Sequence, residues 1–302
     1  MKPNPLIMID RLVSDSINLL QKRSLAEGGF TNADNGDYRT DATAWAIIAL
    51  SACAFDPEII SRARSRLAAG QLADGRVCIS PHHPAVYWPT PLAILAWSQS
   101  PPHQDSLARA VDFLLEHSGM SLQEQALSAD ASDPTLRGWP WVADTYSWVD
   151  PTALGMIALK VTGHSNHPRL AEATRLLLNR KLPHGGWNYG NTIVFHKELR
   201  PMPENTGMAL AALQSLTVRS NLELSLDYLK VAVRNLRTPI ALSWGILGLG
   251  AWGERPLAAT TWLSECWGRQ ARFGVYDTAS LSLFILACRL SGGIESLSRL
   301  AT

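Results

Sequence analysis

The stretch TDATAWAIIAL, residues 40–50, carries a single charge, and its plan recurs along the chain. VDPTALGMIAL (149–159) and PENTGMALAAL (203–213) repeat it: an acid, one residue, a Thr, and a closing Ala-Leu. YWPTPLAILAW (87–97) fits with Trp88 in the acid's place, and PIALSWGILGL (239–249) and VYDTASLSLFI (275–285) are weaker copies. The shared column reads Thr43, Thr90, Thr152, Thr206, Leu242 and Thr278. Repetition on this scale marks a fold assembled from copies of one supersecondary unit.

These segments are apolar nearly all round and rich in Ala and Gly, so as helices they must be enclosed by protein. The stretches between them differ. PEIISRARSRLAAGQ (57–71), SLARAVDFLLEH (106–117), PRLAEATRLLLNRK (168–181) and LELSLDYLKVAVRNL (222–236) place apolar residues at three- and four-residue intervals, the mark of a half-exposed helix. IDRLVSDSINLLQK (9–22) and LAATTWLSECWGRQ (257–270) complete the set, and no segment has strand character. The alternation predicts an all-α fold: six helical hairpins closing into an (α/α)6 barrel, one domain over residues 1–302. A Gly signal links each outer helix to the next inner one, in AEGGF (26–30), ADGRV (73–77), RGWPW (137–141), HGGWNYG (184–190) and RFGVY (272–276). Glycine supplies the positive φ that ends a helix, and the adjoining aromatic can pack back on the hairpin. The fifth repeat lacks this link. A HEAT-like open solenoid, the simpler alternative, has more even repeats and no Gly-aromatic link.

Composition narrows the function. Lys plus Arg number 27 against 26 for Asp plus Glu, with no basic cluster, which argues against a nucleic-acid partner. The N-terminus has too short an apolar run for a signal peptide, and the longest uncharged apolar stretch (241–252) is too short to span a bilayer. Cys53, Cys78, Cys266 and Cys288 are scattered with no CxxC pair, and read as buried thiols in a reducing cytoplasm.

The segments LAEGGF (25–30), QLADGR (71–76) and LPHGGW (182–187), each followed by an Ala-rich helix, resemble the repeats of squalene cyclases and prenyltransferases. The resemblance extends over nearly the whole chain and is specific for fold. It implies the terpenoid cyclase and protein prenyltransferase superfamily, whose members are (α/α)6 barrels. Some polysaccharide lyases and thioester-containing domains share that architecture. Two of the superfamily's chemistries lack their signatures. The zinc-binding Tyr-His-Thr of the prenyltransferases is replaced by Tyr276-Asp277-Thr278, and the fifth repeat has no Asp-x-Cys. The D-x-D-D motif of the squalene-hopene-type cyclases is absent, and the chain has no room for their second helical domain. No metal or other cofactor is expected.

Asp41, Asp150, Glu204 and Asp277 nevertheless stand at or near the start of an inner helix. In an α/α barrel those starts gather at one end of the cavity. Carboxylates there can deliver a proton or hold a polar head group. The same acids also serve as ordinary N-caps and dipole partners, the commoner role. Asp150 and Asp277 are flanked by aromatics, as is Asp144 in ADTYSWVD (143–150), and these three are the candidate proton donors. Trp88, Trp141, Tyr146, Trp148 and Tyr276, with Asp41 and Glu204, are candidate substrate contacts, since aromatic π faces stabilise cations. Trp139 and Trp187 read instead as wedges between helices. His82 and His83 lack a nearby acid or Cys and read as a surface turn, and Lys197 and Arg200 as solvated loop charges.

Together these features predict a prenyltransferase- or terpene cyclase-like protein whose central apolar cavity takes an isoprenoid-type molecule, with acid-initiated cyclisation or isomerisation if it is catalytic. A non-catalytic binding or scaffold subunit, with a protein partner, and a carbohydrate-active α/α enzyme are the rivals. Peripheral contact with a membrane is compatible with the lead.

Overall fold

The computed structural model describes residues 5–121 and 133–299. The fold is all-α. The enclosed helices are α2 (Thr40–Ala52), α4 (Pro89–Trp97), α6 (Val149–Val161), α8 (Pro203–Leu213), α10 (Pro239–Ala251) and α13 (Thr278–Arg289). The amphipathic ones are α1 (Pro5–Lys22), α3 (Pro57–Ala69), α5 (Gln104–Glu116), α7 (Pro168–Asn179), α9 (Glu223–Ala232) and α11 (Ala259–Gly268), with a single turn, α12 (Gln270–Phe273), after the last. Each enclosed helix packs on the next in sequence, α2 on α4 through to α10 on α13, and α13 returns to α2. Each also carries one amphipathic helix, α3, α5, α7, α9, α11 and finally α1, the N-terminal helix lying against α13.

The compositions explain the layering. α3 buries only Ile60, Ala63 and Leu67, a single stripe, whereas every residue of α4 is buried. Small residues let enclosed helices meet backbone to backbone. At Gly248 a Cβ would stand 2.5 Å from the Gly207 carbonyl oxygen, so α8 and α10 touch without intervening side chains.

The Thr column acts as a clamp. Thr43, Thr90, Thr152 and Thr206 each accept, through the hydroxyl, the backbone N–H of Phe30, Val77, Trp139 and Trp187, at 2.8 to 3.0 Å. Each hydroxyl also lies within 3.1 to 3.4 Å of the same residue's carbonyl oxygen and donates to it. The clamped residue follows the link glycine directly in three links and one residue later at Val77, so the repeat Thr satisfies buried backbone groups that no helix or sheet could. The glycines are required there. Gly75 has φ +92°, and a Cβ on it would lie 2.1 Å from the Arg109 carbonyl oxygen of α5. Trp139 and Trp187 complete the device. Their indole N–H groups donate to Leu114 O and Leu177 O, 2.9 and 2.7 Å away, satisfying carbonyls in the last turns of α5 and α7.

Two expectations need correction. Strand does occur among the described residues, as a two-stranded antiparallel hairpin, β1 (Ile193–Val194) with β2 (Lys197–Glu198). Its turn residues Phe195 and His196 both have positive φ, the geometry of a tight hairpin, in a segment too short for periodicity to reveal. The sixth inner helix starts at Thr278 rather than Val275, because Asp277 is its N-cap. At the opposite end of the inner helices a 3₁₀ segment, Ile294–Arg299, lies against α6 and α10. It is held by Lys160, buried at the end of α6, whose ammonium pairs with Glu295 and donates to Ala212 O at 3.0 Å. All four cysteines are free thiols. No described helix is long and apolar enough to cross a membrane.

Candidate functional site

The sequence acids fall into two groups on different pairs of helices. At the start of α6, Asp150 is buried and accepts a hydrogen bond from the Asn205 amide Nδ2 at the start of α8. It forms no ion pair among the described residues. Burial pushes its carboxyl up from the ordinary 3.8 to about 7, the Asn205 hydrogen bond pulls it back in part, and the negative charge of Glu204 raises it further. The neutral acid therefore persists to higher pH than in an ordinary carboxyl. The amide at Oδ1 fixes the carboxyl plane and leaves Oδ2 to carry the proton. Asn205 is fully buried, and its own Oδ1 has no hydrogen-bond partner.

The second group lies on α2 and α13. Asp41 is buried and receives a two-pronged contact from Arg39, Nε to Oδ1 at 2.9 Å and Nη2 to Oδ2 at 3.0 Å. Arg39 also feels the charge of Asp277, and its guanidinium is held above its ordinary pKa chiefly by Asp41. Asp277 accepts the Ser280 backbone N–H at 2.7 Å as the N-cap of α13. Asp41, Asp150 and Glu204, by contrast, stand inside the first turn and cap no helix. Hence Asp41 is a paired anion, Asp277 a helix cap, and Asp150 a carboxyl without a cation.

Repeat alignment shows what lies beneath these acids. Residues four apart on a helix share a face, so the position two after each Thr lies one turn deeper than the acid column. That position holds Trp45, Leu92, Leu154, Met208, Trp244 and Ser280, all buried. Trp45 and Trp244 meet edge to face with ring centroids 6.2 Å apart. Since α13 separates α2 from α10 in the succession of helices, this contact reaches across the enclosed layer. The sequence reading passed over Trp45, Trp244, Asn205 and Arg39. The signal for the first two was this column, and for Asn205 it was a polar residue where four other repeats carry Ala42, Pro89, Pro151 and Ala241.

The remaining candidates lie elsewhere. Trp88 and Trp141 pack edge to face at 5.5 Å, both half-buried. Asp144 is exposed at φ +59°, where it helps burial raise the Tyr87 hydroxyl to about 12. Tyr276 donates its hydroxyl to Cys266 O at 2.5 Å and so is tied to α11. Tyr146 and Trp148 are 49% and 37% exposed and line a separate groove in the links before α6 and α8. His82, His83, Lys197 and Arg200 are exposed. Among the described residues, no three His, Cys, Asp or Glu side chains are grouped to hold a metal ion.

Solved structures share this fold over almost the whole chain. A substitution variant of the type II terpene cyclase MstE from Scytonema, in complex with its substrate geranylgeranyl dihydroxybenzoate, aligns at TM-score 0.63 and 13% identity, covering 98% of each chain. The fold is terpenoid cyclase-like. A second MstE variant, holding the product merosterolic acid A, aligns at TM-score 0.59 and 14% identity over 97% of this chain and 98% of that one. A mutant of Rex8A from Paenibacillus barcinonensis complexed with xylose aligns at 0.60 and 13%, over 97% and 94%. No protein-family model and no curated protein matches the chain in sequence. Identities this low speak for the fold alone.

Proposed function

We propose that this chain is a single-domain (α/α)6 toroid of six hairpins, acting in the cytoplasm as a terpene cyclase- or isomerase-like enzyme on an isoprenoid-type substrate. The observation that carries the reading is Asp150: a buried carboxyl, without a cation, oriented by Asn205 and titrating near neutrality. In this reading Asp150 Oδ2 gives its proton to one carbon of a substrate alkene. A C–H bond forms from the π electrons, and the neighbouring carbon becomes a carbocation. Attack by a second alkene closes a ring, and loss of a proton to the Asp150 carboxylate restores the neutral acid and leaves a neutral product; if water takes that proton instead, Asp150 is reprotonated from solvent. No oxidant or metal is consumed. In this reading Trp45 and Trp244, packed edge to face in the layer below, would offer π faces to the cation, and Leu154 and Met208 would keep from it the water that would quench it. The MstE complex with a geranylgeranyl substrate, on a similar fold, is consistent with a substrate of this class.

The test is incubation with C15 to C30 polyprenyl substrates, with products followed by mass spectrometry and NMR. An isomer of unchanged mass is expected, and Asp150→Asn should abolish it. Unchanged substrate throughout, with no thermal stabilisation by any of them, sinks the proposal.

A carbohydrate-active reading has one observation in its favour. Asp150 and Glu204 pair a protonatable acid with a second carboxyl on adjacent helix starts, the combination used in glycoside hydrolysis, and Rex8A with xylose shares the fold. Release of reducing sugar from xylo-oligosaccharides would select it. Failure of both assays leaves a non-catalytic binding or scaffold subunit.

A further inference from the structure

Apart from the Asp150 cluster, the links before α6 and α8 enclose a groove of about 300 Å³. Met120, Leu136, Tyr146, Trp148 and Ile193 give it apolar and aromatic walls, and Arg180, just after α7, is the one charged residue among the described residues that line it. That guanidinium is poorly matched. Its Nη1 reaches the Gly190 carbonyl only at 3.5 Å, the outer limit of a hydrogen bond, and its buried Nε has no partner. Arg169 also has a buried Nε without a partner, but it and Arg137 both pair with Glu172. Asp133 is near enough for its charge to act on Arg180, but the two form no ion pair, and Asp133 Oδ1 accepts the backbone N–H and hydroxyl of Thr135 at 2.8 and 2.6 Å. Arg180 forms no ion pair among the described residues. A partly buried cation whose counter-charge in reach, Asp133, makes no ion pair with it is costly to hold unless something else pairs with it.

We propose that this groove binds an apolar monocarboxylate, whose carboxylate pairs with the Arg180 guanidinium and whose hydrocarbon or aromatic body lies along Tyr146, Trp148 and Leu136. The planar guanidinium fork matches a carboxylate in two-pronged geometry. Charge balance selects the class. One cation, the sole charge among the described lining residues, neutralises one negative charge, whereas a phosphate monoester carries about −1.5 to −2 at pH 7 and would stay partly uncompensated. The volume lies at the small end of the range for ligand sites, which suits a chain of about ten carbons or a pair of fused rings. Asp150 is not among the residues that line the groove.

Titration calorimetry on the full chain, with quenching of tryptophan fluorescence as a second signal, tests this with decanoate, decan-1-ol and decyl phosphate. Decanoate should bind saturably at one site, and the alcohol and the phosphate each at least about tenfold more weakly, the weight expected of one charge-assisted contact. Arg180→Gln should weaken decanoate about tenfold or more and leave the alcohol unchanged. Ile193→Glu, at a groove-wall residue that is 37% exposed, places a like charge beside the carboxylate without disturbing the core, and should weaken decanoate similarly. Asp150→Asn should have no effect on decanoate binding, which separates this site from the proposed catalytic one. The proposal is overturned if decanoate does not bind, or if the alcohol or the phosphate binds as tightly. Unchanged decanoate affinity in the folded Arg180→Gln protein overturns it too. Should Arg180→Gln fail to fold, Ile193→Glu decides, and unaltered affinity there is equally fatal.

Discussion

Replacing Asp150 with Asn should stabilise the protein, and by an amount that grows with pH. The carboxyl titrates near 3.8 in the unfolded chain and near 7 in the fold, because burial disfavours the anion and Asn205 offsets only part of that. Between these values the folded state binds more protons than the unfolded one, so stability falls as pH rises. Below about pH 4 both states are protonated and the group contributes nothing. The shift of roughly three units, at about 1.4 kcal/mol each, costs the wild type about 4 kcal/mol by pH 8, where the decline has levelled off. Asn is close in shape, cannot ionise, and keeps an oxygen to accept from Asn205 Nδ2, so the variant escapes this cost. Urea denaturation of both proteins at half-unit steps from pH 4 to pH 8.5, at constant ionic strength, reads the difference directly. The expected result is near-equal stability at pH 4 and a gap that opens steadily toward pH 7, then flattens. A gap independent of pH would falsify the assignment of a raised pKa, and with it the case for Asp150 as a proton donor.

Other outcomes follow from the same geometry. Thr152→Val keeps the volume but leaves the buried Trp139 N–H without its acceptor, and should cost about 1–3 kcal/mol in the same denaturation assay. Gly75→Ala combines a positive φ with a Cβ 2.1 Å from the Arg109 carbonyl oxygen, so a loss larger than the about 1 kcal/mol of an ordinary mutation is expected, seen as a lowered Tm. Trp244→Ala removes one side of the edge-to-face pair with Trp45 and should cost about 3–5 kcal/mol, whereas Trp244→Phe should keep most of the stability and show whether the indole face affects turnover. Lys160→Met should loosen the segment from Ile294 to Arg299, detected as faster amide exchange there, because Glu295 loses the cation it is paired with.

The repeat itself was legible because a helix fixes which residues share a face. TDATAWAIIAL and its copies have no polar stripe, so they had to be enclosed, and the helices between them had to cover them. The Gly links were legible for a similar reason, since positive φ and close backbone approach leave few other residues possible. Trp139 and Trp187 were read as wedges, and the bonds from their indoles to Leu114 and Leu177 give that reading its physical content. The hairpin at Phe195 and His196 escaped notice because four strand residues carry no period.

The candidate site was legible only as a column of equivalent acids. What distinguishes its members is who stands beside them. Arg39 lies two residues from Asp41, close enough for the sequence to suggest a pair, but the partner of Asp150 is Asn205, fifty-five residues away on another helix. Protonation depends on the net field and solvation at one point, and those are summed over neighbours that the chain brings together only on folding. Periodicity determined the helices, their two classes and the links between them, because these rest on interactions a few residues long. Which acid is pushed toward its neutral form, which becomes a cap, and which cation is left without an ion pair among the described residues were decided by the tertiary structure, because charge and burial act through space.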